Sequence, residues 1–170
     1  MSYFRFPCLF TQQAPPPSGL LIEGFESIVS NAPQQQTWDT SSFTVTGSLV
    51  TSLLNVTQGT YSGVWSYVSS GTGQFAYLEM VNEIDLTGYT TLKLDMDITT
   101  AAGGTYFNFD VFPSDFSDYV SVTTTSTGVQ TLSADISGFS DAQKAICKVA
   151  IYGGNTAGTW LFYTDNLRAE

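Results

Sequence analysis

From Leu20 onward, apolar and polar side chains alternate with a period of two, not 3.6. Leu92, Leu94, Met96 and Ile98 fall on one face of a run whose other face carries Lys93, Asp95 and Asp97. Val64-Trp65-Ser66-Tyr67-Val68 alternates, Phe107, Phe109 and Val111 oppose Tyr106, Asn108 and Asp110, and Tyr119-Val120-Ser121-Val122 continues the style. Alternation rich in Val, Ile, Thr, Tyr and Phe predicts half-buried strands. Breakers separate the runs: Gly71-Thr72-Gly73, Thr87-Gly88, Gly103-Gly104, Pro113-Ser114-Asp115, Gly128, Ser137-Gly138 and Gly153-Gly154-Asn155. Frequent turns and no long helical segment predict an all-β antiparallel sandwich. The helical candidate is a single turn, Asp141-Ala142-Gln143-Lys144-Ala145, after Ser140. No internal repeat is evident.

Residues 1–19 differ from the rest. Phe4, Phe6, Leu9 and Phe10 precede Pro15-Pro16-Pro17-Ser18-Gly19. The triple proline predicts a stiff, extended hinge. The chain therefore divides into an arm and hinge, 1–19, and a domain, 20–170. The expectation is an apolar arm lying extended on another chain, a partner or a sister subunit, with backbone hydrogen bonds such as an added strand provides. A disordered terminus is the alternative.

Composition narrows the chemistry. Of the 170 residues, 42% are hydrophobic and 14% aromatic, enough for a real core. Only 12% are charged, so the surface rests on Ser, Thr, Asn, Gln, Gly and Tyr. A net charge of -10 argues against nucleic acid and anionic membrane surfaces as partners. No stretch approaches the ~20 apolar residues of a membrane-spanning helix. The first residues, with one Arg and an apolar run interrupted by Pro7, do not read as a signal peptide. The chain contains no histidine, which excludes Ser-His-Asp and Cys-His nucleophile systems. Cys8 and Cys147 make no disulfide framework. A core-like Cys147 with an incidental Cys8 is the simplest reading, with a bridge through Cys8 as the other. Asn55-Val56-Thr57 fits the N-glycosylation pattern.

Without histidine, hydrolysis would fall to paired carboxylates. Asp95, Asp97 and Asp110 could share one sheet face, and residues two apart on a strand lie about 6.5–7 Å apart. A catalytic acid needs a pKa raised by burial, whereas acids that alternate with core residues face outward. They read as a solvated polar face or as hydrogen bonders beside a ligand. The aromatics point to sugar. Flat rings stack on the C–H faces of sugar rings while Asp, Asn and Lys satisfy the hydroxyls. Trp65 and Tyr67 share a strand face, and Tyr106 and Tyr152 sit on probable strands. The candidate carbohydrate-binding set is Trp65, Tyr67, Asp95, Asp97, Tyr106, Asn108 and Tyr152. The competing reading places these rings in the core.

Five segments, in order, resemble the carbohydrate-binding-module type of jelly roll, the galactose-binding-like sandwich. Leu21-Ile22-Glu23-Gly24-Phe25-Glu26 resembles its opening strand, and Gly59-Thr60-Tyr61-Ser62 the turn into the third strand. Leu86-Thr87-Gly88-Tyr89, followed by the long alternating run, is the nearest match. Leu132 to Phe139 resembles the penultimate segment, and Phe162 to Arg168, with Asp165-Asn166, the closing strand. The resemblance covers residues 20–168 and implies a two-sheet jelly roll with no catalytic residues of its own. It also implies a structural calcium tying first and last strands, here through Glu26, the Gly59–Ser62 turn and Asp165, since hard oxygen ligands suit that ion. Acids that only hydrogen bond the local backbone are the alternative.

The expectation is that the chain departs from that family, reading without a signal peptide and without an attached hydrolase. With its sticky arm it resembles accessory proteins of tailed-phage virions, such as capsid decoration proteins, tail fibres and adhesins. The leading expectation is therefore a non-enzymatic virion component, anchored by its arm and presenting a sandwich that cements neighbours or touches host glycans. A carbohydrate-binding module of a polysaccharide-degrading system, extracellular, is the alternative. A small hydrolase using acids alone is the third reading.

Overall fold

In the computed structural model the residues described are 19–25, 38–39, 46–52, 54–57, 59–69, 75–100, 106–154 and 157–170. Their strands are β1 (Leu20–Glu23), β2 (Trp38–Asp39), β3 (Thr46–Ser52), β4 (Ser62–Ser69), β5 (Phe75–Met80) and β6 (Thr91–Thr100). These are followed by β7 (Tyr106–Pro113), β8 (Val120–Thr124), β9 (Gly128–Asp135), β10 (Cys147–Gly154) and β11 (Gly158–Ala169). One short helix, α1 (Asp141–Lys144), stands between β9 and β10. It forms where expected, closed by a capping box in which Ser140 and Gln143 satisfy each other's backbone N–H.

The strands make two antiparallel sheets. The first runs β3-β4-β11-β6-β9, with β1 paired to β11, and the second runs β2-β5-β10-β7-β8. Most connections cross from one sheet to the other, and only β3–β4 and β7–β8 are hairpins between sequence neighbours. This is a jelly roll, as the resemblance implied.

The alternation buries what it should. Leu92, Leu94, Met96 and Ile98 of β6 face Phe107, Phe109 and Val111 of β7 and Val149 and Ile151 of β10 in one hydrophobic core. Phe107 bridges the sheets, meeting Trp160 edge-on at 5.2 Å and Phe162 at 4.8 Å between ring centroids. Such pairs contribute about 0.5–1.5 kcal/mol each beyond the area they bury. Cys147 is a free thiol inside this core.

The opening strand ends in a plug. Phe25 takes a left-handed backbone, φ 52, and lies buried with its ring edge-on to Trp65 at 6.4 Å. Its N–H donates to Oε1 of the buried Glu23 at 2.7 Å. The ring has space because position 63 is glycine: a Cβ there would sit 2.7 Å from Phe25 Cδ1.

The three acids that could have shared a face do not. Asp95 and Asp97 are on β6 of the first sheet and Asp110 is on β7 of the second, so they occupy opposite outer faces. The reason is that the chain crosses from the first sheet to the second after β6, so the outer positions of β6 and of β7 look away from each other across the core.

Candidate functional site

The expected platform on Trp65 is corrected by the structure. Trp65 is fully buried, stacked on Phe162 at 6.0 Å, with its indole N–H donating to Oγ1 of Thr164 at 2.5 Å. Tyr67 has the same parity on β4 and pairs with Trp160, another fully buried ring, so its position belongs to the inner face. Alternation establishes that Trp65 and Tyr67 share a side. It does not tell which side meets the other sheet, and here the small polar residues Ser62 and Ser66 do not decide it.

Tyr106, Asn108 and Tyr152 are brought together. On β7, Phe107, Phe109 and Val111 enter the core, which leaves Tyr106, Asn108, Asp110 and Phe112 at outer-face positions. On β10, Val149 and Ile151 enter the core, which puts Lys148, Ala150 and Tyr152 at outer-face positions of the strand. The register then lines up Tyr77, Tyr152, Asn108 and Thr123 as one cross-strand row. A neighbouring row is Phe75, Gly154 and Tyr106. On the other side runs Glu79, Ala150, Asp110 and Ser121, and beyond it Lys148 beside Phe112. Rows two residues apart on a strand are about 6.5–7 Å apart. Tyr77 was absent from the candidate set. The alternation of Phe75-Ala76-Tyr77-Leu78-Glu79-Met80 carries the signal that finds it.

The floor of this face is fixed by polar contacts. Lys148 Nζ pairs with Glu79 at 2.9 Å beside the fully buried Ala150. Thr123 donates to Oδ1 of Asn108 at 2.7 Å. Asp110 is buried, and burial pushes its carboxyl above the usual carboxylate range, against hydrogen bonds from Ser121 and Tyr119 that only partly offset it.

Asp95 and Asp97 lie on the outer face of the first sheet, in a cavity of about 200 Å3 also lined by Thr57, Val129 and Tyr163. Asp95 is saturated. Thr131 and Thr57 hydroxyls donate to it at 2.8 Å, Asn166 Nδ2 at 2.9 Å, and Arg168 pairs with it at 3.2 Å. Burial would raise its pKa, but these four partners together outweigh burial and hold it below the ordinary range. It is thus kept ionised, the opposite of what a general acid needs.

Thr57 joins that cluster to Asp165. Its N–H and Oγ1 both meet Oδ2 of Asp165, at 2.6 and 3.2 Å, while Asn166 N–H donates to Oδ1 at 2.8 Å. The one Thr57 hydroxyl proton serves either Asp95 or Asp165 at a given moment, so Thr57 bridges the two carboxylates. Among the described residues no group of three His, Cys, Asp or Glu side chains could hold a metal. Glu26 lies outside the described residues, as do Phe4, Phe6, Leu9 and Phe10 of the arm.

No family model and no curated protein sequence matches the chain. Solved structures do. The family 11 carbohydrate-binding module of the cellulosomal cellulase Lic26A-Cel5E of Clostridium thermocellum superposes with a TM-score of 0.61 at 12% identity, covering 89% of this chain and 93% of that one. A carbohydrate-binding module specific for non-crystalline cellulose, CBM28, gives 0.59 at 16% identity, over 92% of this chain and 96% of that one. A structure described for promiscuous specificity of β-sandwich carbohydrate-binding modules gives 0.65 at 17% identity, and the chain spans 56% of its length. An exo-β-agarase is similar over 24% of its own length. The shared feature is the fold: this chain has the jelly roll of carbohydrate-binding modules.

Proposed function

We propose that the chain is a carbohydrate-binding module of a polysaccharide-degrading system, acting outside the cell and taking a linear glycan along the outer face of the second sheet. The observation that carries this is the row Tyr77, Tyr152, Asn108 and Thr123, with Tyr106 one row away. It supplies aromatic residues and a fixed amide at strand spacing on one face, the combination that recognises a sugar ring from its flat side and its hydroxyls. On this reading the protein contributes shape and hydrogen bonds, and Asp95 and Asp110 do not work as an acid and base pair. Asp95 is locked as a carboxylate, and Asp110 stands on the opposite face of the sandwich from it.

Affinity electrophoresis through gels holding mixed-linked β-1,3-1,4-glucan, soluble cellulose derivatives or mannan tests the reading. Retardation on at least one, lost in Tyr152→Ala and reduced in Asn108→Ala, is the expected outcome. Free migration in all three, or retardation unchanged in both variants, overturns it. A product released from any of these polysaccharides would favour the hydrolase reading.

The virion placement rested on residues 1–19, of which only Gly19 is described, and none of the similar structures named above supports it. Structural calcium at Asp165 stays a proposal of its own. Asp165 is buried on the last strand, and a carboxylate is the hard oxygen ligand that suits this ion. Bound calcium would make the melting temperature fall in chelator and recover with added calcium ion. An unchanged melting curve rejects it.

A further inference from the structure

We infer that Phe116 and Tyr119, on the loop between β7 and β8, form an additional aromatic subsite that takes a further sugar ring of a glycan lying on the second sheet. The inference rests on the glycan reading above and extends the face beyond the rows already described.

Phe112 belongs to the outer face of β7, level with Lys148, and lies outside the core cluster. Phe116 stacks on it, with ring centroids 4.9 Å apart and planes within 12° of parallel. Phe112 is thereby covered to 2% exposure, while Phe116 keeps 69% of its own surface in water. Tyr119, 56% exposed, borders the same face, its side chain near enough to Asp110 to offset part of the burial of that carboxyl. Two exposed rings thus continue the outer face past the Asp110 row. From the Asn108 row to Phe112 is four residues along β7, about 13 Å.

The loop holds these rings in place. Ser114 N–H donates to Ile146 O at 2.8 Å, Phe116 N–H to Pro113 O at 2.8 Å and Ser117 N–H to Asp115 Oδ1 at 3.0 Å. Gln143 Nε2, from α1, donates to Ser117 Oγ at 3.2 Å. A ligand therefore meets rings whose ordering cost is already met by folding.

Position 116 itself is informative. Its φ of 55 is left-handed, a conformation in which glycine and asparagine are at ease and a bulky aromatic is an outlier. Solvent favours a polar side chain here and the backbone favours a small one, yet the residue is phenylalanine. An exposed ring kept against both preferences is the pattern of a contact residue. A linear glycan is the occupant that fits, because Phe112 and the rings beside it follow the Asn108 and Asp110 rows along β7, and the loop acids Asp115 and Asp118 are engaged by the backbone N–H groups of Ser117 and Tyr119.

The test is calorimetric titration of the whole chain with mixed-linked β-1,3-1,4-glucan oligosaccharides of increasing length. The variants are Phe116→Asn, which suits the left-handed backbone, Phe116→Tyr, which keeps a ring, and Tyr152→Ala. The expected result for Phe116→Asn is about a 3- to 10-fold loss of affinity for the longest oligosaccharide and under about twofold for the shortest that binds, with Phe116→Tyr near wild type. Tyr152→Ala weakens every length. Length-independent loss in Phe116→Asn, or no loss, overturns the subsite while leaving the main face standing. A wild-type protein that binds no length overturns the glycan reading, and the subsite with it. A melting temperature for Phe116→Asn within a few degrees of wild type shows that its binding is read on a folded protein.

Discussion

The indole N–H of Trp65, on β4, donates to the hydroxyl of Thr164, on β11, across 2.5 Å in a region closed to solvent. The pair explains why a tryptophan sits at this position without touching ligand: its ring fills the core and its polar atom is satisfied by a neighbouring strand. Thr164→Val keeps the volume and removes that acceptor. The expected cost is about 1–3 kcal/mol, the penalty for disturbing a buried donor. Urea unfolding measures it, and glycan affinity should not change. An unaltered unfolding midpoint would show that the hydroxyl is dispensable.

Gly63 provides a second test of the same corner. A methyl group there would stand 2.7 Å from Phe25 Cδ1, closer than real contacts allow, and a tight 3.1 Å from Thr164 Oγ1. Phe25 is buried and cannot simply swing into water. Gly63→Ala should destabilise by roughly 1–3 kcal/mol, the usual range for overpacking. If the melting temperature holds, the β1 end yields more readily than the packing of Phe25 on Trp65 implies.

The strands and their core were legible because period-two alternation acts locally. Leu92 to Ile98 and Phe107 to Val111 declare their buried sides without any knowledge of the partner strand. Sidedness relative to ligand was not legible for Trp65, because a strand with two plausible faces is decided by which sheet it joins. Tyr106, Asn108 and Tyr152 converge only through the β7–β10 register, a pairing between segments some forty residues apart. Phe116 was hidden for a different reason. Pro113-Ser114-Asp115 signals a turn, and the ring's stacking on Phe112 depends on how that turn closes.

Cys147 should be chemically silent in the folded protein. It lies buried in the core with its thiol directed at the carbonyl of Gln143, 3.4 Å away. Burial pushes the thiol up to about 11, with Lys144 pulling the other way. Reaction requires the thiolate, so a thiol reagent at pH 8 should label Cys147 only after denaturant is added. Mass spectrometry of peptides from native and unfolded samples separates it from Cys8. Fast native labelling at Cys147 would mean that the β10 end opens well short of global unfolding.

Asp95 and Asp110 should drive stability in opposite directions as pH falls. Asp95 is held below its ordinary pKa, because its partners Thr131, Asn166, Thr57 and Arg168 outweigh burial. A group whose folded pKa is depressed contributes stability that is present above the unfolded value, near 3.9, and is lost as pH drops through the folded one. Asp110 is raised by burial, which Ser121 and Tyr119 offset only in part. Its charge is a penalty at neutral pH, and that penalty is relieved as pH falls through the folded pKa toward the unfolded value. Asp95→Asn should therefore cost about 1–3 kcal/mol at pH 7, the range for hydrogen bonds to a charged group, and progressively less in acid. Asp110→Asn, whose amide oxygen still accepts from Ser121 and Tyr119, should raise the melting temperature at pH 7 and lose that advantage near pH 3. Melting curves of the wild type and both variants between pH 3 and pH 7 measure this. Parallel pH profiles for all three proteins would show that neither carboxyl is linked to folding in the way its surroundings dictate.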